Sequence, residues 1–472
     1  MAGLREECGV FGAFDCDGDD VASYIYYGLF ALQHRGQESA GISVTNTNEE
    51  CRNVNFHKDC GLVNEVFNKD ILRTLKGNLG LGHVRYSTAG GTGRENAQPF
   101  VIHYIKGILS MAHNGNLTNA DELKEDLAKT GAIFQTNTDS EVIAYLIARE
   151  RLGTLSVQEA VKSASQKLRG AFSLVVVSPS KLIGARDPQG FRPLCIGKKD
   201  NIFFLSSESA ALDTIGAEFV RDVEPGEIVT IVDGEIHSDW MHKYQVSSRC
   251  IFEYIYFART DSIIDGQSVY SSRVKAGRIL AEKYKVDADL VIGVPESGLA
   301  AAIGYSQESN IPYGMAFYKN SYVGRTFIKP KQNDRTAGVQ AKLNVIRDVV
   351  KGKRIVMVDD SIVRGTTIRN IVKILKDAGA LEVHVRISSP PFKYPCYYGT
   401  DVPSSDNLVA VNNSIDEIRK GINADSLGFL DIDDLGHLCP GLDYCDACFT
   451  GKYMGGIPRD LSKMSSCSGK ML

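Results

Sequence analysis

The sequence predicts two joined domains: stacked antiparallel sheets with helices outside them, then a parallel sheet with helices on its faces. Three observations predict this. At roughly 150 residues to a domain, 472 residues make two large domains or about three smaller ones. From Gly9 to about Trp240, short runs rich in Val, Ile, Phe and Tyr alternate with Gly and Asn turns, the pattern of β-strands with few helices. From about Val286 the pattern becomes apolar strand, Gly-containing turn and helix, repeated, which implies a parallel sheet.

Composition narrows the classes. With 43% hydrophobic and 23% charged residues, general disorder is excluded. A formal net charge of −4 provides no overall basic field for nucleic acid or an anionic membrane. No window approaches the ~20 apolar residues that span a bilayer. The opening MAGLREE lacks the basic and apolar regions of a secretory signal, so a cytoplasmic location is expected, or a plastid one where a transit peptide has been removed. Eleven cysteines, scattered through a long chain, argue against a disulfide framework and raise thiolate catalysis or metal binding instead.

Along the chain, VFGAF, GISVT, LGLGHVRYST, GILSMAHNG, FSLVVVS, KLIGARD and NIFFLSSE read as strands. NADELKEDLAKTG reads as a helix capped by Asn119 and stopped by Gly131, and SEVIAYLIARERLG as a second helix. DLVIGVPESGLAAAIGYS, RIVMVDDSIVRGTTIRNIVKILKDAG and LEVHVRISSPP supply the βα units. The domain boundary is expected near residues 235 to 250. With no low-complexity linker and no repeat, the two domains are expected to join tightly.

In RIVMVDDSIVRGTT, Asp359 and Asp360 end a buried strand that a small polar loop and a helix follow. Ligands of open α/β sheets sit outside the carboxyl ends of strands. Backbone N–H groups of Ser361 to Thr367, at a helix start, can hold a phosphate, leaving the carboxylates for ribose hydroxyls. The plainer reading is a β-turn-α junction with solvated Asp. The run, through Ser361, Val363, Arg364, Gly365, Thr366 and Thr367, resembles the fingerprint of type I phosphoribosyltransferases, which bind 5-phosphoribosyl 1-pyrophosphate (PRPP). IGVPESGLAAA, with Glu296, Ser297 and Gly298, looks like that family's pyrophosphate loop. Between them, Lys319 precedes a charged, Gly-containing stretch with Arg325, Lys329, Lys331, Arg335 and Lys342. Such a stretch is ordinarily a solvated face; between two phosphate turns it reads as a lid that excludes water. The resemblance implies PRPP contacts from Lys319, Arg325 and both turns, and Mg²⁺ bridging PRPP oxygens near Ser297, Asp359 and Asp360.

In the first half, Cys8 opens the first strand, a position at which a lone Cys is normally inert. GHVRYST, AHNGNL and NTDSE recur at strand ends and change its meaning. Arg85 could fork onto a carboxylate and Asp139 could take an α-ammonium, the two charges of free glutamine. Asn114 and Gly115 could donate N–H groups to a tetrahedral oxyanion. With QHRGQESAGI, the constellation resembles the N-terminal-nucleophile glutamine amidotransferases. That resemblance implies Cys8 as nucleophile, its own α-amino group as base, and Arg85, Ser87, Thr88 and Asp139 as glutamine contacts. An amide nitrogen is no base, and the resemblance to family members that carry a leader implies that residues 1–7 are cut from Cys8 autocatalytically.

A glutaminase half joined to a PRPP half resembles the amidophosphoribosyltransferase family, over about residues 8 to 458. The resemblance implies a glutamine amidotransferase domain at 8–240, a phosphoribosyltransferase domain at 241–458 and a tail at 459–472. It also implies the first committed step of purine synthesis, feedback inhibition by purine nucleotides and a homo-oligomer, dimer or tetramer. CIFEYIYFART, at the junction, is the candidate for part of a sealed ammonia route. Thr260 stands where the family commonly has Pro, and Gln340 where it often has a basic residue. Cys445 and Cys448 form C-x-x-C, which alone fits zinc, a redox pair or chance. A subset of the family also has Cys at the positions of Cys250 and Cys396 and holds a [4Fe-4S] cluster, so these four are the expected ligands, with zinc as the alternative and Cys439 as a rival ligand. Two other functions compete: a glutaminase feeding a different acceptor, which VDDSIVRGTT opposes, and a nucleotide-binding regulator, which the intact Cys8, Arg85, Asn114, Gly115 and Asp139 set opposes.

Overall fold

The computed structural model describes residues 8–48, 53–86, 93–242, 247–320, 343–400, 402 and 404–459. The leader, Ser87, Thr88, Arg325, Gln340 and the tail from residue 460 lie outside the described residues.

Among the described residues, thirteen strands build the first half: β1 (Gly9–Asp15), β2 (Ser39–Thr45), β3 (Val54–Cys60), β4 (Leu79–Arg85), β5 (Phe100–Tyr104), β6 (Gly107–Leu117), β7 (Gly170–Ser178), β8 (Lys181–Arg186), β9 (Cys195–Lys199), β10 (Ile202–Ser206), β11 (Glu218–Asp222), β12 (Glu227–Val232) and β13 (Glu235–Trp240). They form two antiparallel sheets, ordered β11-β9-β10-β1-β4-β2-β3 and β13-β12-β8-β7-β6-β5. Strands such as GVFGAFD and GAFSLVVVS are buried along their whole length. Both their faces are covered, which explains their nearly continuous apolar character. Val10, Leu79 and Leu81 of one sheet meet Ala112, Val175 and Leu182 of the other. Helices Ala22–Ala31 and Ser209–Thr214 cover the outer face of the first sheet. Helices Ala120–Lys129, Asp139–Glu150 and Val157–Ser165 cover that of the second. The expected layering is therefore present. One detail differs: Asn119 occupies the cap position of helix Ala120–Lys129 but makes no capping bond. Its amide instead accepts from Arg169 N and donates to Lys167 O, because an adjacent loop competes for the same short side chain.

The second half begins with β14 (Arg249–Cys250), the small hairpin β15 (Ile263–Ile264) and β16 (Gln267–Ser268), and helix Val269–Lys283. Then come β17 (Leu290–Gly293), β18 (Phe317–Lys319), β19 (Leu343–Val345), β20 (Arg354–Asp359), β21 (Glu382–Ile387), β22 (Ser426–Phe429) and β23 (Tyr444–Cys445). A four-stranded parallel sheet has the order β17-β20-β21-β22. Helices Val269–Lys283 and Gly298–Ser309 pack on one face; Thr366–Asp377 and Ile415–Gly421 pack on the other. Strand β22 and hairpin β18–β19 went unread because both are short. Among the described residues, no helix is long and apolar enough to cross a membrane.

Between the halves lies a dense polar junction. Glu253, 2% exposed, takes Arg35 at 2.7 Å and Arg192 at 3.4 Å. The tip of the β15–β16 hairpin puts Asp265 against Arg186 at 2.7 Å and Arg249 at 2.8 Å. Asn116 donates to Tyr397 O at 2.9 Å, and the rings of Phe191 and Tyr398 stack at 4.3 Å.

Candidate active site

Cys8 directly precedes β1, whose Gly9 pairs with Val84 of β4. That register sets Cys8 beside the end of β4, where Arg85 is 4% exposed. The Cys8 thiol donates to Tyr86 O at 3.5 Å, and its carbonyl accepts from Arg35 Nε at 3.1 Å. His83 Nε2 bonds His113 O at 3.0 Å, tying β4 to β6 across the two sheets. Burial pushes the His83 pKa down to about 3, so the ring is neutral and Nε2 is the donor.

On β6, Asn114 is fully buried, yet neither its side-chain oxygen nor its nitrogen has a protein partner. Burying an amide this way is unfavourable by about 1–3 kcal/mol, so the pair of orphaned atoms points to a ligand. Gly115 follows at φ +144°, where an added Cβ would stand 2.1 Å from Ala171 O, so any other residue would move the strand. Asp139 opens helix Asp139–Glu150 after the Thr138 cap. Its carboxylate accepts from Leu117 N at 3.0 Å and lies 3.7 Å from His113 Nδ1. Burial alone would raise its pKa, but His113 and these hydrogen bonds outweigh burial and hold it below the ordinary carboxylate range. The His83–His113 bond thus ties the strand that carries Arg85, beside Cys8, to the strand that carries the orphaned Asn114 amide and whose Leu117 N donates to the ionised Asp139 carboxylate.

In the parallel domain, Asp359 and Asp360 lie at the carboxyl end of β20, each 8% exposed. Asp360 accepts from Ser297 Oγ and from Ser361 Oγ, and Asp359 accepts from Asp360 N at 2.9 Å. The Ser297–Asp360 bond joins the two turns singled out in the sequence. Burial first, then the neighbouring Asp360 charge, pushes the Asp359 pKa well up; burial also raises Asp360. Helices Gly298–Ser309 and Thr366–Asp377 both start without a side-chain cap, the kind of helix start that can accept an anion; Gly298 N and Leu299 N donate to Val294 O and Glu296 O. Gly298 must be glycine, since a Cβ there would lie 2.4 Å from Val358 O. Gly365 sits at φ +75°, and Val363 O accepts from Val409 N at 2.8 Å. Arg364 and Thr366 are exposed and Thr367 half-buried. Lys319 reaches Glu296 at 2.9 Å. A buried carboxylate pair beside a serine hydroxyl is the hard oxygen set that suits Mg²⁺.

Cys250, Cys396, Cys445 and Cys448 line one pocket with Phe252 and Phe392. Cys250 and Cys445 are register partners in the parallel pair β14–β23, and Tyr398 N donates to Cys396 Sγ at 3.4 Å. Burial, with neighbouring thiols, pushes Cys448 well up and Cys445 up to about 12. Among the described residues, no three His, Cys, Asp or Glu side chains stand close enough for one metal ion. Four thiols converging on one apolar pocket nevertheless fit a multinuclear cluster, whose ligands stand further apart than those of a single ion. Cys439, 1% exposed, donates to Leu435 O and does not line this pocket. The sequence reading missed Arg35, Glu208, Glu253 and Arg273. QHRGQ was the only local signal for Arg35; the others carry none.

The fold and these two sites define a glutamine amidotransferase joined to a phosphoribosyl transferase. Residues 83–214 match the glutamine amidotransferase domain family, and residues 268–388 match the phosphoribosyl transferase domain family. The chain is 49% identical to the amidophosphoribosyltransferase of Methanocaldococcus jannaschii, over 94% of this chain and 97% of that protein. It is 47% identical to that of Bacillus subtilis, over 98% and 96%. A solved B. subtilis glutamine PRPP amidotransferase, complexed with ADP and GMP, superposes with a TM-score of 0.89 at 46% identity, covering 96% of this chain and 98% of that one. The chain belongs to the amidophosphoribosyltransferase family, which transfers the amide nitrogen of glutamine to PRPP in the first step of purine biosynthesis.

Proposed function

We propose that the Cys8 thiolate attacks the glutamine amide carbon while Asn114 Nδ2 and Gly115 N–H hold the oxyanion. The observation that carries this is the fully buried, unpartnered Asn114 amide, which an oxyanion would satisfy. Arg85, Ser87 and Thr88 bind the substrate carboxylate, and Asp139 its ammonium. The base is the Cys8 α-amino group, which requires residues 1–7 to be cut away, leaving domains 8–240 and 241–458. It takes the thiol proton and returns it to the leaving nitrogen, and water then releases glutamate from the thioester. Ammonia passes along the apolar junction segment, where Tyr254, Ile255 and Phe257 are at most 5% exposed. It attacks C1 of PRPP and expels pyrophosphate.

PRPP is held by the N–H groups of 361–367, by Arg364, Thr366 and Thr367, by Glu296, Ser297 and Gly298, and by Lys319 and Arg325. Ser297, Asp359 and Asp360 hold Mg²⁺, which when bound neutralises charge on the pyrophosphate. Cys250, Cys396, Cys445 and Cys448 hold a [4Fe-4S] cluster that fastens the junction, the sheet and the C-terminal segment together; no step moves electrons. Purine nucleotides inhibit by presenting a 5′-phosphate and ribose to the 359–367 turn, in keeping with the ADP and GMP of the solved relative. The protein works as a homo-oligomer.

The test mixes glutamine, PRPP and Mg²⁺ with anaerobically purified protein and measures glutamate and pyrophosphate together. Equal release of both is expected. Pyrophosphate release that requires added ammonia would overturn the glutaminase assignment, and glutamate release without pyrophosphate would overturn the acceptor.

A further inference from the structure

The ladder between β5 and β6 closes at the Phe100–Met111 pair. Two residues further along β6, His113 still has both backbone groups bonded on that side, because a side chain stands in for the missing strand. Gln98, 3% exposed, accepts from His113 N at Oε1 (2.7 Å) and donates from Nε2 to His113 O (3.3 Å). A backbone N–H only donates and a carbonyl only accepts, so the amide has one orientation. Its Nε2 then also donates to Ser140 Oγ at 3.1 Å. The Ser140 hydroxyl, itself buried, has one proton and two lone pairs. Besides Gln98 it meets His113 Nδ1 at 3.1 Å and Asp139 Oδ1 at 3.4 Å. The ionised Asp139 only accepts. All three bonds therefore form together when the serine proton points at Asp139 and His113 Nδ1 carries a proton, which leaves His113 Nε2 buried without a partner. The backbone around Gln98 is fixed as well. Lys58 Nζ takes Ala97 O at 2.5 Å and Pro99 O at 3.2 Å, and Gln98 O lies against Gly41 of β2, where an added Cβ would stand 2.1 Å from it.

We propose that Gln98 and Ser140 are positioning residues for substrate choice: they hold the Asp139 carboxylate in the orientation that meets the substrate α-ammonium, and so set the preference for an α-amino amide over the same amide without that group. The proposal rests on the reading of Asp139 given above. Asp139 Oδ2 is held by Leu117 N at 3.0 Å, and Oδ1 by the Ser140 proton that Gln98 directs. Each oxygen keeps a lone pair for an ammonium. A carboxylate fixed before the substrate arrives loses little freedom on binding, and its charge-assisted bond to the ammonium depends on that geometry. Without the Ser140 proton the carboxylate is held through one oxygen by the protein backbone and turns about its last bond. The thiol of Cys8 and the oxyanion donors are untouched by that rotation, so the loss falls on recognition of the ammonium.

The variants are Ser140→Ala, which removes the hydroxyl between Gln98 and Asp139, and Gln98→Met, which keeps the length of the side chain and loses its hydrogen bonds. Each is assayed with PRPP present for cleavage of glutamine and of glutaramate, which is glutamine without its α-amino group, read as glutamate or glutarate release. Thermal melting and ammonia-dependent pyrophosphate release confirm a folded sample. For Ser140→Ala, kcat/KM for glutamine should fall about tenfold or more, mostly through KM, as expected for the loss of one hydrogen bond to a charged group. Its kcat/KM for glutaramate should stay unchanged, so the preference for glutamine shrinks by the same factor. Gln98→Met also frees the His113 backbone beside Asn114, so both substrates lose kcat while the preference shrinks alike. Ser140→Ala covers the case in which Gln98→Met fails to fold. A preference that keeps its wild-type value in folded Ser140→Ala would overturn the proposal, whether both activities are intact or fall together, since a parallel fall marks a merely structural role. Wild-type protein that cleaves glutamine and glutaramate equally well would instead overturn Asp139 as the partner of the ammonium.

Discussion

Replacing Asp265 with Asn removes one carboxylate from between two buried guanidiniums, and its effect can be worked from the structure. Arg186 and Asp265 are 1% and 3% exposed, and Arg249 is 12% exposed. Removing the partner of a buried ion pair costs about 3–5 kcal/mol, because the remaining charge stays desolvated. For a domain of this size that is a fall in melting temperature of roughly 6–20 °C. A third acid modifies the result. Burial first, then the nearby Asp265 charge, pushes Asp222 up to about 7. A carboxylate raised in the folded state holds its proton there, so its contribution to stability is complete below the unfolded pKa of about 4 and disappears as pH rises through 7. Without the Asp265 charge, Asp222 ionises at lower pH and neutralises Arg186 in its place. The destabilisation by Asp265→Asn should therefore be largest near pH 5 and shrink towards pH 8. Scanning calorimetry of both proteins across that range measures it. A melting-temperature difference that stays constant, or grows with pH, would refute the argument that Asp222 substitutes for Asp265.

Three further outcomes are expected. Cys8→Ser should abolish glutamate release while sparing ammonia-dependent pyrophosphate release, and intact-mass analysis of active wild-type protein should find Cys8 as its first residue; active protein that retains residues 1–7 would remove the α-amino group as base. Gly298→Ala drives a methyl to 2.4 Å from Val358 O, a backbone clash worth about 1–3 kcal/mol. It should raise the PRPP KM in glutamine- and ammonia-dependent assays alike, and a normal KM would separate this turn from PRPP. Anaerobic protein should contain about four irons and four sulfides per chain and bleach with oxygen as it loses its fold. One zinc and no iron, or a folded and fully active Cys445→Ser variant, would count against a structural cluster.

What could be read from the sequence follows from the range of the interaction involved. Sheets and helices announce themselves within ten residues, through alternation, apolar runs and punctuating Gly. The chemical turns were equally local: Asp359 and Asp360 sit seven and six residues before Thr366, where the next helix starts, and Asn114 and Gly115 are neighbours on β6. The junction has no such signature. Arg35 and Glu253 are separated by 218 positions, and Arg186 and Asp265 by 79. Nothing near Glu253 distinguishes a buried partner from a solvated acid, and CIFEYIYFART was legible only as an aromatic segment. Even Asn119, correctly placed at a helix start, turned its amide to a loop some 50 residues on, because capping and cross-loop bonding compete for one side chain. The same physics explains why the junction between the halves stayed unread. A local turn is assembled from sequence neighbours, whereas the junction is built from charges that cross between the halves, and in a desolvated junction each such charge requires a partner that only the folded chain supplies.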